Sequence, residues 1–403
     1  MSGLNFLNIN KKSNGGFKIM AIKFGADAGN NALKLWEQGE NPITIPSIYS
    51  LYMGELVTGM DMQDISPENL HNNIDVTITS KALGENGVRY VVGNKVFEDN
   101  LRSIEMEKLS DKSTDEIPVI TTLSGLAVSA IKKEPNKDKI KLDVDLAIAL
   151  PIAFINKENA VKNEERFMGT HYVTFHHPSG RNVEVEINVE FCKCLPEGAA
   201  AVWGVVFNEK GEILTRKIEV SEGNIEDVSF LDTVNLSFDI GAGTTEIVVT
   251  HGLNYKPQLS KGLNYGTKET ILHFIDLWNK AEPRKNIDSL AEFNEIYFNS
   301  EHPRHKDVVE KFKPHQLQLA VKLSKEIINK VDDMKDEPYV FIYGGGSSLI
   351  KDALLGILKQ KGRDKNVIFL NNPMYVNAKG LLVYACSPRF EELKLQHVGV
   401  ING

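Results

Sequence analysis

Asp239 ends an apolar run, Leu236-Ser237-Phe238, and is followed by Gly241, Gly243, the hydroxyl pair Thr244 and Thr245, and a second apolar run, Ile247-Val248-Val249. The pattern predicts strand, tight turn, strand. Glycines in such a turn let the backbone take positive φ and let N–H groups reach an anion with no Cβ in the way. The threonines add hydroxyl donors, and a carboxylate at the strand end could hold a hydrated divalent cation beside phosphates. This is the chemistry of a phosphate clasp. A glycine turn beside an aspartate also makes an ordinary β-hairpin, so a nucleotide site needs a second half elsewhere in the chain.

A second strand, turn, strand is predicted from Phe17–Phe24 through Gly25-Ala26-Asp27-Ala28-Gly29-Asn30-Asn31-Ala32-Leu33-Lys34. Glycine follows Asp27 by two positions and lysine by seven, which gathers a carboxylate, a turn and an ammonium in one small volume. Lys34 could act as a point-charge donor to phosphate or simply reach solvent. Glu197, in Cys194-Leu195-Pro196-Glu197-Gly198-Ala199, is expected in the first turn of a helix. An acidic residue there answers the helix dipole; facing a phosphate cleft, it could also orient the water that attacks a γ-phosphate. Tyr339–Tyr343, Gly344, Gly345, Gly346, Ser347 and Ser348 read as a buried parallel strand, three glycines and a helix. That is an anion or nucleotide contact in α/β folds, with neither Walker nor dinucleotide spacing.

The elements that must position these residues fit a chain of 403 residues, 42% apolar, with room for two domains or more. The longest apolar run, Leu146–Ile155, is broken by Pro151 and falls short of the roughly 20 residues of a membrane span. Met1–Gly16 is polar and Asn-rich, with no signal-peptide core. A formal charge of -8 argues against nucleic-acid binding by the whole surface. Cys192, Cys194 and Cys386 have no metal spacing; the first two share one face of a strand, as buried thiols. His171, His176 and His177 lack a further ligand at suitable spacing, which disfavours a metal.

Short strands and many charges between Asn41 and Glu116 predict a small α+β insertion. A helix is expected over Ser113–Ala130, a core strand over Leu142–Leu150, and hairpin strands over His171–His176 and Val183–Phe191. Helices follow at Lys268–Trp278 and, started by Pro314, at Gln316–Met334 with Leu317, Ala320, Val321, Leu323, Ile327, Ile328 and Val331 as the apolar stripe. A last strand spans Lys365–Leu370, and the final helix runs to about Ala385.

Two Asp-bearing hairpins about 210 residues apart, then a strand-Gly-Gly-Gly-helix element, form an ordered set. With these motifs the sequence resembles the actin and heat-shock-chaperone ATPase superfamily: Asp27–Lys34 looks like its first phosphate motif, Asp239–Glu246 its second and Phe341–Ser348 its adenosine motif. Leu195–Val202 and Met374–Gly380 fall where its two connecting helices belong. The Pro-Glu-Gly-Ala connector and Phe-Ile-Tyr-Gly-Gly-Gly-Ser-Ser-Leu-Ile look most like bacterial plasmid-segregation actins of the ParM and actin-like-protein type.

The resemblance implies an α/β, actin-like fold of two duplicated domains around a nucleotide cleft. Domain I would be 20–235 plus 376–403, with an insertion at about 41–116; domain II would be 236–375, with an insertion at about 279–335. Residues 1–19 would be a flexible extension. It further implies ATP or GTP with Mg2+, head-to-tail filaments destabilised by hydrolysis, and a DNA-binding adaptor of the ParR type on a plasmid centromere. Direct DNA or membrane contact is not expected, and the cytoplasm is the expected location.

On the same resemblance Asp27 and Asp239 would position magnesium through water, Lys34 would touch phosphate, and Glu197 would be the catalytic, water-orienting residue. Gly29, Asn30, Asn31, Gly241, Ala242, Gly243, Thr244 and Thr245 would cradle phosphates. Gly266, Gly344, Gly345, Gly346 and Ser347 would border ribose and base, and Lys322 and Glu326 would offer base contacts. Ala28, Ala242 and Glu246 depart from the family pattern, which bears on hydrolysis rate more than on binding. Rival readings are an actin-fold small-molecule kinase and a non-polymerising nucleotide switch. A chaperone would carry a further domain, and a chain ending at Gly403 is expected to lack one.

Overall fold

Alternation at Phe24, Ala26, Leu33 and Leu35, all buried, sets the first hairpin against a core. The structure, a computed structural model, describes residues 20–52, 54, 65–106, 112–221 and 224–401. The expected extension at 1–19 and part of the expected insertion therefore lie outside the described residues. The chain divides into two compact units, one of 1–214 with 377–403 and one of 215–376. The first boundary falls at 214/215 instead of 235/236, and the hairpin just after it belongs to the second unit.

In the first unit the strands are β1 (Ile22–Ala28), β2 (Ala32–Glu37), β3 (Ile43–Pro46), β4 (Ile48–Leu51), β5 (Ile74–Thr79), β6 (Val88–Val92), β7 (Ile104–Glu105), β8 (Lys139–Leu150), β9 (Gly169–His176) and β10 (Asn182–Pro196). They form one ten-stranded sheet in the order β3-β2-β1-β8-β10-β9-β5-β6-β4-β7. The Asn41–Glu116 segment thus extends the main sheet where a separate insertion was expected; β5 pairs with β9 and β3 with β2. Strands β1, β8 and β10 run parallel to one another, which requires long crossover connections, usually helical, whereas β1 with β2 and β10 with β9 are antiparallel.

Helices α1 (Asn94–Glu98), α2 (Ile117–Lys133), α3 (Lys157–Phe167) and α4 (Ala199–Val206) complete this part. Every residue of α2 from Ile117 to Ile131 is buried, as for a helix that is apolar all round. It begins at Ile117, four residues later than expected from Ser113. Arg166 ties down the carbonyls of Lys112, Ser113 and Asp115, and the Asp115 carboxylate accepts from the Ile117 N–H at 2.9 Å.

The second unit holds β11 (Thr215–Ser221) with β12 (Asn224–Ser229) as a two-stranded sheet. A second sheet contains β13 (Val234–Ile240), β14 (Thr245–His251), β15 (Asn254–Tyr255), β16 (Lys261–Leu263), β17 (Tyr339–Tyr343) and β18 (Val367–Phe369), in the order β15-β14-β13-β17-β18 with β16 on β14. Its helices are α5 (Thr267–Ala281), α6 (Leu290–Phe298), α7 (His305–Asp332) and α8 (Ser347–Gln360).

Helix α7 corrects the expectation that Pro314 starts a helix: it begins at His305 and carries Pro314 inside. Proline removes one N–H and crowds the carbonyl four residues back, but Val308 and Phe312 on one side of it and Leu319, Ala320, Leu323 and Ile327 on the other are all buried. Packing along the whole length outweighs that local cost. Leu317 and Val321, placed in the stripe by sequence, are 51% and 39% exposed.

The chain then enters α9 (Val376–Ala385) and α10 (Pro388–Ile401), the latter not foreseen. Small residues let α9 lie against α4: a Cβ on Gly380 would meet the Ala200 carbonyl oxygen at 2.0 Å. Among the described residues no helix is long and apolar enough to cross a membrane.

Candidate functional site

In each unit most of the expected site residues lie at or just past the carboxyl ends of parallel strands, where open α/β sheets place ligands, while Lys34 lies on the antiparallel β2 and Lys322 and Glu326 lie within α7. In the first unit Asp27 stands near the end of β1 and is buried, directly across the hairpin from Lys34. The Gly29 N–H closes the turn on the Ala32 carbonyl at 3.1 Å. Ser47 fixes it from outside, its hydroxyl donating to the Gly29 carbonyl at 2.7 Å and its N–H to that of Asn31 at 2.9 Å. A Cβ on Gly29 would lie 3.0 Å from Lys34 Nζ, so the ammonium folds over the turn.

Glu197 follows the end of β10, where its N–H donates to the Leu150 carbonyl at 2.8 Å. It precedes α4 instead of lying in its first turn: Gly198 is the N-cap, and its N–H donates to Asn377 Oδ1 at 3.2 Å. The Glu197 carboxylate is buried, with Oε1 2.6 Å from Lys112 Nζ. Burial raises its pKa above the usual carboxylate value, Lys112 opposes this, Asp27 adds to it and Lys34 pulls weakly down. Asp27, Lys34, Glu197 and Lys112 thus form one electrostatic cluster. Sequence reasoning missed Lys112, which sits in a charge-rich segment 85 positions from its partner, with no spacing to mark it.

In the second unit Asp239, near the end of β13, is paired with Glu246 across the hairpin, so both side chains lie on one face. Glu246 is buried, and Gly262 makes room for it: a Cβ there would come 2.9 Å from Oε2. Gly241 closes the turn through its N–H to the Thr244 carbonyl at 2.9 Å. The first turn of α5 anchors the turn's other side, Thr267 and Lys268 donating their N–H groups to the carbonyls of Gly241 (3.1 Å) and Ala242 (2.9 Å). Otherwise orphaned helix donors therefore hold the clasp in place. The N–H groups of Ala242 and Gly243 make no hydrogen bond to protein among the described residues.

Two expected contacts serve this framework. The Thr245 hydroxyl donates to the Tyr265 carbonyl at 2.9 Å. Gly266 is needed where the chain crosses the clasp, since a Cβ would lie 2.4 Å from both the Gly241 and Ala242 oxygens.

Gly344 and Gly346 follow β17, which runs parallel to β13. Gly344 has φ +88°, and the Gly346 N–H donates to the Ile240 carbonyl at 2.9 Å. The buried Ser347 hydroxyl turns back to the Gly344 carbonyl at 2.8 Å. Gly345 is exposed, and a Cβ on it would meet nothing nearer than Met374 Cβ at 4.0 Å. Lys322 Nζ lies 3.4 Å from the centroid of the Tyr265 ring, and Glu326 pairs with Lys261 at 2.8 Å. Burial, aided by Glu326, pushes the Tyr265 hydroxyl up to about 12.

The histidines and cysteines play other parts. His171 Nδ1 is 2.7 Å from Ser80 Oγ and its Nε2 2.6 Å from the Phe167 carbonyl; His176 Nε2 is 2.8 Å from Thr77 Oγ1. Burial pushes both Cys192 and Cys194 thiols up, the latter to about 12. Among the described residues no group of three or more His, Cys, Asp and Glu could hold a metal ion. Asp27 in the first unit and Asp239 in the second each carry hard oxygen donors of the kind that magnesium uses.

The fold is that of the actin-like proteins. Residues 25–199 match the family model described as Actin like proteins N terminal domain. Over 95% of its length the chain resembles the whole crystal structure of the actin-like protein Alp7A, at 19% identity and a TM-score of 0.72. It also resembles Bacillus thuringiensis ParM with ATP (16% identity, 93% of this chain and 99% of that one, TM-score 0.67). The archaeal actin homologue Ta0583 aligns at 16% identity over 90% of this chain and 99% of its own, with a TM-score of 0.60. No curated protein matches the chain.

Proposed function

We propose that the chain is a nucleotide-dependent, filament-forming actin homologue that segregates plasmid DNA in the cytoplasm. Its two units serve as the two actin-like domains. Asp27 and Asp239 hold the waters of a magnesium ion that neutralises phosphate charge when bound. Lys34 contacts phosphate, and the N–H groups of Ala242 and Gly243, which bond no protein group among the described residues, cradle it with Gly29, Asn30 and Asn31. Gly345, Lys322 and Glu326 border the nucleoside, and Glu197 orients the attacking water. Cleavage of ATP or GTP loosens head-to-tail contacts, and an adaptor of the ParR type carries the centromere.

The observation that carries this reading is the same local design in both units: an aspartate at the end of a parallel strand, beside a tight turn pinned from behind by neighbouring hydrogen bonds. The likeness to Bacillus thuringiensis ParM with ATP supports it. Light scattering and sedimentation with ATP, GTP and a non-hydrolysable analogue test it. Scattering that rises above a critical concentration supports a filament; nucleotide turnover without assembly points to a small-molecule kinase. Glu197→Ala is expected to assemble, release phosphate slowly and disassemble late, because assembly needs binding and disassembly needs the cleaved γ-phosphate. Unchanged release would leave only a nucleotide switch.

A further inference from the structure

The ion pair between Lys112 and Glu197 has two features that a mere structural contact does not need. Both side chains are nearly out of solvent, at 6% and 10% exposure, although the carboxylate stands just past the end of a parallel strand where a ligand would sit. The lysine is also delivered by a braced turn. Arg166 Nη1 donates to the Lys112 and Ser113 carbonyls at 3.1 and 2.7 Å, and Nη2 to that of Asp115 at 2.6 Å. A long, flexible lysine side chain loses much rotamer freedom when buried, and the brace settles where its backbone starts.

We propose that Lys112 is a positioning residue for Glu197, holding Oε1 so that Oε2 is presented to the attacking water as an ionised acceptor. The proposal rests on the reading of Glu197 given above. Lysine suits the task because a compact ammonium satisfies one carboxylate oxygen and leaves the other open, whereas a guanidinium tends to take both. Its charge also offsets the cost of keeping a carboxylate ionised in a buried place beside Asp27. No proton passes through Lys112; it acts on the rotamer and charge state of its neighbour.

The test is single-turnover phosphate release and ATP affinity, with magnesium, for the full chain and the variants Lys112→Met, Lys112→Arg, Glu197→Gln and Lys112→Met/Glu197→Gln. Lys112→Met is expected to slow release by about a hundredfold while ATP affinity changes less than about threefold. Lys112→Arg should recover part of the rate. In the Glu197→Gln background, Lys112→Met should slow release no further. The charge-neutral double variant covers the case in which the buried lone carboxylate impairs folding of Lys112→Met. Equal slowing by Lys112→Met in both backgrounds, or a large loss of ATP affinity in both, would mean that Lys112 touches the nucleotide itself, and would overturn the proposal. Unchanged release in Lys112→Met would overturn it too, with the reading of Glu197 intact. Failure of the wild-type chain to release phosphate at all would remove that reading and this proposal together.

Discussion

Gly344 packs its α-carbon against the Asp239 carboxylate: a Cβ there would fall 2.4 Å from Oδ1 and 2.5 Å from the Ile240 carbonyl oxygen. Its φ of +88° is also a conformation that L side chains rarely adopt. Gly344→Ala should therefore cost more than about 2 kcal/mol of stability and displace Asp239. Gly345→Ala is the control, since its Cβ would meet only Met374 Cβ, at an ordinary contact distance of 4.0 Å. It should leave the unfolding midpoint unchanged and weaken nucleotide binding, because on the proposed function Gly345 borders the nucleoside. Urea unfolding and nucleotide titration of the two variants separate the effects.

The C-terminal helix is latched to the first unit's sheet by charge. Asp145, 1% exposed on β8, accepts from Lys23 Nζ at 2.7 Å and from Lys394 Nζ at 2.7 and 2.9 Å. Lys394 also pairs with Glu190 at 2.8 Å, and Lys23 with Glu391. Burial, the largest single effect, would lower the Lys394 pKa, but Asp145 and Glu190 together outweigh it and the net shift is upward. Asp145→Asn leaves two lysines crowded around a neutral amide. It should cost about 3 kcal/mol and release Pro388–Ile401, read as faster amide hydrogen exchange in that helix. Unaltered exchange there would show that the apolar face around Phe390 holds the helix without the latch.

The main motifs were legible because each is local. Asp27, Gly29 and Lys34 share one hairpin, and Asp239 through Thr245 share another, so spacing alone placed them at strand ends. What sequence could not show was where hydrogen bonds would be committed. The Thr245 hydroxyl and the Gly266 Cα are occupied by residues that the fold brings in from elsewhere, and the Ser347 hydroxyl turns back on its own glycine turn at Gly344. Lys112 was hidden for the same reason. Pro314 misled because a local helix signal competed with packing over the full length of α7. The Asn41–Glu116 segment read as separate because its strands pair with β9, far along the chain.

Acid should weaken the first unit through His171. The ring is fully buried, and burial holds its pKa below the ordinary value, with the Phe167 carbonyl opposing. The unfolded chain then takes up the proton more readily than the folded one. The contribution to stability is complete above the unfolded value near 6.5 and is lost as pH falls from there through the folded value. Between about pH 7.5 and about pH 5.5 the wild-type unfolding free energy should fall more steeply than that of His171→Gln. Parallel slopes would show that His171 titrates alike in both states.

On the proposed function Asp27 and Asp239, far apart in sequence, serve one magnesium nucleotide. Magnesium–ATP affinity measured calorimetrically for Asp27→Ala, Asp239→Ala and the double variant tests it most directly. Each single change should weaken binding at least tenfold, and the double variant should lose clearly less than the sum of the two, because either change already breaks the shared grip. Wild-type affinity in either single variant, or losses that add to within about 0.5 kcal/mol as for independent sites, would contradict it.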